Sequence, residues 1–578
     1  MEEHPKDQMN MLNEKLLDTR NQKGGLKTLP FIIANEALEK VASYGLAPIM
    51  IMYLMQDYGL GMSMGTKILF MWSAATNFMP VVGAFLSDCY FGRFSMIGFG
   101  SFSSLLGMIL LWLTAMIPQA RPPPCNESTQ TCESATGFQL VFLCSSFILM
   151  SIGAGGVRSS SLAFGADQLD KRDNPKIASF SLEKYFSLYY LSVTVSILLS
   201  LSCIVYIQEH FGWRLGFGVP VILMFLSAAS FFLASSSYIK LKAHKSLFTG
   251  LAQVVVVSFK NRHLNLLSHN GSYNRKMGSD VVVPSNKLRF LNKACIVITP
   301  QQGLNSDKTV SDPWSLCTVD QVEELKALIK VIPIWSTGIM ISVTISQSSF
   351  LVLQANSMDR HISSSFEIPA GSFSMFTVVS MIIWLLLYNN LLLPLASNIM
   401  GKSVLLGVKQ RMGIGLLCSC ISMALTAIIE SVRRETAIRA GDPQGVVNMS
   451  AMWLVPQYCL IGVAEAFNAI GQNEFFYSEF PKSMSSIASA LIGVGISIGN
   501  LLASFIFSTV DNITGGGGKE SWVSSNINRG HYDYYYCILT ILSLINFVYY
   551  TLCSRAYGPC VGEGNKVRDE EEGMSDVY

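Results

Sequence analysis

Long apolar runs recur along this chain, separated by short polar breaks, and no other feature limits its fold so strongly. A run of about 18 or more apolar residues is long enough to cross a bilayer as a helix. Twelve such segments are read at approximately 30–56, 66–91, 94–117, 138–158, 180–207, 215–237, 327–353, 369–393, 412–432, 451–477, 486–510 and 533–554. Hydrocarbon offers no water to satisfy backbone N–H and C=O groups, so each segment is expected to be a helix. Only 14 % of the 578 residues are charged, against roughly 25 % in an average soluble domain, and the mean hydropathy is +0.39. This excludes a disordered chain or a small disulfide scaffold, and argues against an ordinary soluble enzyme. With 41 Lys+Arg against 39 Asp+Glu, there is no basic excess of the kind that marks a nucleic-acid binder.

The expectation is an all-α membrane protein of twelve transmembrane helices in two six-helix lobes. Residues 1–29 form an N-terminal tail, 30–237 the first lobe, 238–326 a central loop, 327–554 the second lobe and 555–578 a C-terminal tail. Six spans on either side of one long loop is the layout in which two repeat halves flank a midplane site. The first 29 residues mix charges without an apolar stretch or cleavage site, so no signal peptide is read. Lys and Arg concentrate in the tails, the even-numbered connections and the central loop, which predicts cytosolic termini. Within that loop, 247–264 reads as a helix with an apolar face lying on the inner membrane surface. Sequons at Asn126, Asn448 and Asn512 fall on predicted outside loops as glycosylation candidates, whereas Asn270 falls inside. Cys125 and Cys132 share one outside loop, where they either pair or stay free. Most of the 13 cysteines lie in apolar runs and read as small buried hydrophobes. No metal-ligand spacing is present, and no cofactor is expected.

Charges inside spans are costly and mark function by default. In the first span Glu36, Glu39 and Lys40 stand at i, i+3 and i+4, on one helical face. Two carboxylates beside one ammonium make a site that can bind and release a proton; the plain alternative is a helix end with snorkelling charges. Tyr44 follows on the same helix as a pocket candidate. In the fourth span Gly153, Gly155 and Gly156 allow close helix approach. Arg158 follows them, a cation with no acid nearby in its own helix, whose expected partners are Glu36 and Glu39. In the tenth, Glu465 lies mid-span with Asn468 and Gln472 at i+3 and i+7 on the same face; the acid is read as holding substrate or forming a salt bridge between the lobes, or else as a structural hydrogen-bonded group, with Asn468 and Gln472 as pocket candidates. Between spans two and three, Gly83, Asp88, Gly92 and Arg93 form a tight charged turn read as a gate. Lys330 is placed with the gate, or else at a solvated helix end. Tyr189 and Tyr190 on the fifth span line a pocket or serve packing. No histidine falls inside a span, so carboxylates would carry the proton. There is no P-loop to couple ATP and no Ser/His/Asp constellation.

At these residues the chain resembles the plant nitrate/peptide transporter family, within the proton-coupled oligopeptide transporters of the major facilitator superfamily. Glu36, Glu39 and Lys40 resemble the E-x-x-E-R/K pattern; Gly83, Asp88, Gly92 and Arg93 resemble the superfamily gating motif. Gly155, Gly156, Arg158 and Phe164 to Gln168 resemble the helix-4 signature. Further matches are Leu288 to Leu291, Trp314 to Thr318, Pro333-Ile334-Trp335, Gln354, Met358-Asp359-Arg360, Trp453 to Gln457, Glu465 and Glu474 to Pro481. The resemblance implies symport by alternating access in the major facilitator fold. Glu36 and Glu39 would take the proton, Arg158 would pair with them, and Glu465 would face the solute. Three departures stand out: Lys40 where Arg is common, Tyr190 and Ser192 where Asn and Gly are common, and Asn389-Asn390 where an Asp-Arg pair is common.

The reading is a symporter, not an enzyme, moving protons with nitrate or another small anionic solute. Plant hormones, glucosinolates or peptides, and a sensor with little transport, are the alternatives. Its partners would be the proton, the solute and the lipid bilayer, with no nucleic acid; the sequence carries no signal for an oligomeric state. The plasma membrane is favoured over the vacuolar membrane.

Overall fold

Apolar sequence with few turn residues folds here into helix nearly throughout. The computed structural model describes residues 24–123, 134–169, 175–241, 247–264, 273–274, 283–297, 314–364, 366–401, 406–441, 445–516 and 520–559. Cys125, Cys132, Asn126 and Asn270 lie outside these residues.

The first group of helices comprises α1 (Leu29–Tyr44), α2 (Met50–Gln56), α3 (Met62–Leu86), α4 (Arg93–Met116), α5 (Gly137–Leu169), α6 (Pro175–Leu199) and α7 (Val205–Leu233). After α8 (Leu247–Lys260) the second group follows: α9 (Val319–Thr337), α10 (Ile339–Ile345), α11 (Ser348–Asn356), α12 (Met375–Leu387), α13 (Leu393–Met400), α14 (Val408–Ala440), α15 (Val455–Glu479), α16 (Ser485–Thr514) and α17 (Tyr532–Tyr557). Each group packs mainly on itself, and α3 against α16 is the principal contact between them.

Among the described residues, nine helical stretches are long and apolar enough to cross a membrane, where twelve spans were expected. The difference has three local causes. The 30–56 segment is helical but broken between α1 and α2, and it holds Glu36, Glu39 and Lys40. The 180–207 and 215–237 segments run into one stretch, Leu182–Leu233. Its 52 residues would measure about 78 Å as one straight helix, far more than a bilayer, and the chain bends at Gly212 (φ 78°). The 451–477 segment forms α15, whose Glu465, Asn468, Gln472 and Glu474 dilute its hydropathy.

Glycines set the approach of α5 to its neighbours. A methyl group on Gly155 would meet the Met79 carbonyl oxygen at 2.8 Å, and one on Gly156 would meet the Gly100 Cα at 2.8 Å. Gly92, at φ 75°, turns the chain from a π-turn at Ser87–Phe91 into α4, a conformation glycine enters without steric cost.

The apolar core is divided unevenly. At the face opposite the chain ends, one cluster runs through both groups, from Leu46, Tyr53 and Phe70 to Phe350, Phe507 and Tyr535. At the face carrying the chain ends there are separate clusters: Ile32, Phe164 and Phe231; Leu29, Tyr185 and Tyr189; and Val322, Phe475 and Tyr550. Polar bonds follow the same pattern. Opposite the chain ends, Glu209 binds Arg360 and accepts the Ala370 N–H at 3.1 Å. Ser63 donates to Asp511 at 2.5 Å, and Ser525 accepts the Met62 N–H at 3.0 Å. The two groups are thus closed together at that face.

Candidate functional site

α1 buries its charged face because α7, α6 and α5 surround it. Glu36, Glu39 and Lys40 are all buried. Lys40 Nζ lies 3.1 Å from Glu36 Oε1 and 3.4 Å from Glu39 Oε2, so one ammonium serves both acids. Arg158, on α5, reaches Glu39 Oε1 at 3.8 Å. Glu36 was expected to share Arg158, but no ion pair joins the two; Lys40 already occupies it. The Tyr44 ring lies 5.5 Å from the Lys40 ammonium and 5.3 Å from the Arg158 guanidinium. Two acids and two bases balance to zero charge, the condition under which buried ions are tolerable.

This cluster borders a cavity of about 380 Å³ between the two groups. Glu39, Tyr44 and Arg158 contribute from one side and Glu465 from the other. Ser43, Ser73, Thr76, Asn77, Ser342, Ser346 and Asn500 add hydroxyls and amides, while Leu46, Phe70, Trp72 and Met108 supply apolar wall. Two of the contributing segments are interrupted helices in corresponding positions, the first of each group. α1 breaks before α2 at 45–49, and α9, α10 and α11 are separated at Gly338 and at 346–347. Interrupted helices in matching positions of two halves are a recurring way to build a midplane solute site.

The remaining predicted residues fall elsewhere. Asn468 and Gln472 do not line the cavity: Asn468 packs on Gly415 of α14, and Gln472 against Gly338. The rise from Glu465 to Gln472 is about 10 Å, which carries the later residue past the cavity. Tyr189 is buried beside Glu36, behind the charge cluster, and Tyr190 is exposed; neither lines the cavity. Arg93 pairs with Asp167 at 2.6 Å, joining α4 to the end of α5; Asp88 makes no ion pair with another described residue. Lys330 binds Glu479 at 2.9 Å and lies over the Tyr557 ring, all within the second group. Asn448 is exposed on a short strand, Val447–Ser450, paired with Met358–Asp359. Asn512 is exposed in the last turn of α16.

Two constellations lacked an obvious sequence signal. Glu430 and Arg433 on α14 are fully buried, with a two-pronged contact at 2.7 Å on each prong. Gln354 donates to Glu430, and Arg433 also binds Ser357, Asn528 and the Ile527 carbonyl. Their i, i+3 spacing at the edge of the ninth span was the available hint. The Glu209–Arg360 pair joins the start of α7 to the chain just after Met358–Asp359, far apart in sequence, and nothing local announces it.

Paired bundles of membrane-crossing helices, closed at one face around a charged cavity, define a membrane transporter. The POT family profile matches residues 94–523. Protein NRT1/PTR FAMILY 1.2 of Arabidopsis thaliana is 54 % identical over 586 residues, covering 99 % of this chain and 96 % of that one. NRT1/PTR FAMILY 1.1 of the same plant is also 54 % identical, covering 99 % of both. The crystal structure of the POT family transporter PepTSo matches with a TM-score of 0.67 at 17 % identity, covering 92 % of this chain and 98 % of that one. The chain belongs to the POT family, in its NRT1/PTR branch. It is a multi-pass membrane transporter and not an enzyme.

Proposed function

We propose that the protein is a proton-coupled symporter of a small anionic solute, with twelve spans, cytosolic termini and alternating access to the cavity. The observation that carries this reading is the neutral Glu36–Glu39–Lys40–Arg158 cluster, two of whose members line the cavity wall. Protonating Glu39 would leave the cluster one positive charge in excess and loosen its hold on Arg158, which would then be free to bind an anion. The outcome is a solute site that gains affinity when a proton is bound, which is the thermodynamic requirement for coupling. Glu465 on the facing wall would repel a bare anion or hold a donor group of a larger solute. Residence in the plasma membrane belongs to the same proposal.

Nitrate is the first candidate by resemblance, but the cavity favours an organic anion. A four-atom ion would occupy a small part of about 380 Å³, a volume in the range of drug-sized ligand pockets. Its Trp72, Phe70 and Leu46 walls would also gain nothing from nitrate. The experiment is uptake and current in expressing oocytes at acidic and neutral outside pH, against nitrate, dipeptides and acidic plant hormones. An inward current that depends on solute and grows with acidity supports symport and names the solute. Uptake independent of pH refutes proton coupling, and no uptake with the protein at the surface favours a sensor.

A further inference from the structure

α8 is apolar on both sides. Leu251, Val254 and Val257 are buried against Val319, Val322 and Leu325 of α9 and against the 3₁₀ turn Arg289–Ala294. The opposite stripe, Ala252, Val255, Val256 and Phe259, is exposed, Phe259 by 68 %. Spacings of three and four place these residues along one line of the helix. A helix apolar all round belongs in a core or in lipid, so this face wants an occupant.

The depth and charge of α8 identify one. Its contacts on α9 centre on Val322, nine residues before the apolar stretch resumes near Val331. That is about 13 Å along the axis, at the headgroup level of a bilayer rather than deep in the cytosol. Phe248 stands 6.3 Å from Phe85 in the last turn of α3, which fixes the other end of α8 at the same surface. Bases flank the stripe. Lys260 and Arg262 close the helix, and Lys287 and Arg289 lie beside the turn whose Leu291 carbonyl accepts from Ser258. All four are exposed, and none forms an ion pair with another described residue. Phe290, between them, is 57 % exposed.

We propose that this face of α8, with Lys260, Arg262, Lys287 and Arg289, docks on the anionic headgroup layer of the leaflet on the side of the chain ends. Apolar side chains enter the acyl boundary while the bases meet lipid phosphate and carboxylate, the two contributions that bind an interfacial helix. Because α8 touches α3 of one group and α9 of the other, its lipid contact spans both.

Amide hydrogen exchange of the full chain in nanodiscs tests this, comparing phosphatidylcholine alone with a one-third phosphatidylserine mixture. Segment 247–264 is expected to exchange at least about fivefold more slowly in the anionic discs, the effect of even one basic group at such a surface. High salt should erase the difference, as should Lys260→Glu with Arg262→Glu, Lys287→Glu and Arg289→Glu. If that variant fails to fold, the salt and lipid comparison on the parent chain decides alone. Equal exchange in the two discs overturns the proposal. So does protection in both discs that vanishes when residues after Gly558 are deleted, because the acidic run Asp569–Glu572 would then be the occupant.

Discussion

Glu39→Gln keeps the shape of the side chain and removes its charge. The neutral cluster becomes Glu36 with Lys40 and Arg158, one positive charge in excess. Glu39 lies 3.8 Å from Arg158 and 3.4 Å from Lys40. At an effective dielectric constant near 20 each contact corresponds to about 4–5 kcal/mol of gross attraction. Lys40 keeps Glu36 at 3.1 Å, whereas Arg158 loses its ion pair. The substitution therefore mimics permanent protonation. Accumulation of solute against its gradient should be lost, while solute exchange between the two sides persists. The assay is tracer uptake at outside pH 5.5 and 7.5, with counterflow from preloaded cells and surface abundance measured in parallel. Acid-stimulated accumulation at the parental rate would refute a proton role for Glu39. Loss of both accumulation and exchange at normal abundance would refute the argument that Arg158 is released in a usable form.

Three further outcomes are expected. Arg433→Met leaves Glu430 buried with only Gln354 and should lower stability by about 3–5 kcal/mol; thermal unfolding in detergent checks this, and adding Glu430→Gln should recover most of the loss. Glu209→Gln removes the charge that joins Arg360 across the closed face, where partial exposure reduces the pair to about 1–2 kcal/mol. A reporter cysteine at Ser346 should then label several-fold faster with an impermeant reagent applied from that face, and unchanged labelling would show that the pair does not hold it shut. Cys295 and Cys317 lie outside the membrane segments, and burial pushes both thiols up to about 12. Since the thiolate is the reactive form, reactivity rises only as pH climbs towards that value, so neither should label at pH 8 until the protein is unfolded.

The charge cluster was legible because its evidence is local. Glu36, Glu39 and Lys40 share a helical face by spacing alone, and Arg158 had no acid of its own. Which acid it would meet was not legible, since that depends on how α5 leans on α1, which glycine packing against α3 and α4 decides. Asn468 and Gln472 show the limit of the periodicity argument: angular position matches Glu465, but axial rise takes Gln472 beyond the cavity. The serines and asparagines of the cavity, Ser342, Ser346, Asn77 and Asn500, look in sequence like ordinary helix-packing residues. Gly45 and Pro48 interrupt the 30–56 segment beside Tyr44, Leu46 and Ala47 of the cavity wall; in the 327–353 segment the break at 346–347 borders the same cavity, whereas Gly338 lies beyond it against Gln472. The segments at 30–56, 215–237 and 451–477 do not stand as separate long apolar helices, because a break, a fusion and charge respectively remove them from a test of length and hydropathy.

The uneven core has a pharmacological consequence. One face is sealed by a continuous apolar cluster reinforced by Glu209 and Arg360, while the other is divided between separate clusters. A blocking compound would find its entrance on the side of the chain ends and could act as a wedge, keeping the two bundles from swinging shut there. If, as proposed, those ends lie in the cytosol and the protein in the plasma membrane, such a compound must first enter the cell, and a molecule confined to the outside would meet only the sealed face. Potency measured on intact cells would then track membrane permeability, whereas potency on inside-out vesicles would track fit to the cavity.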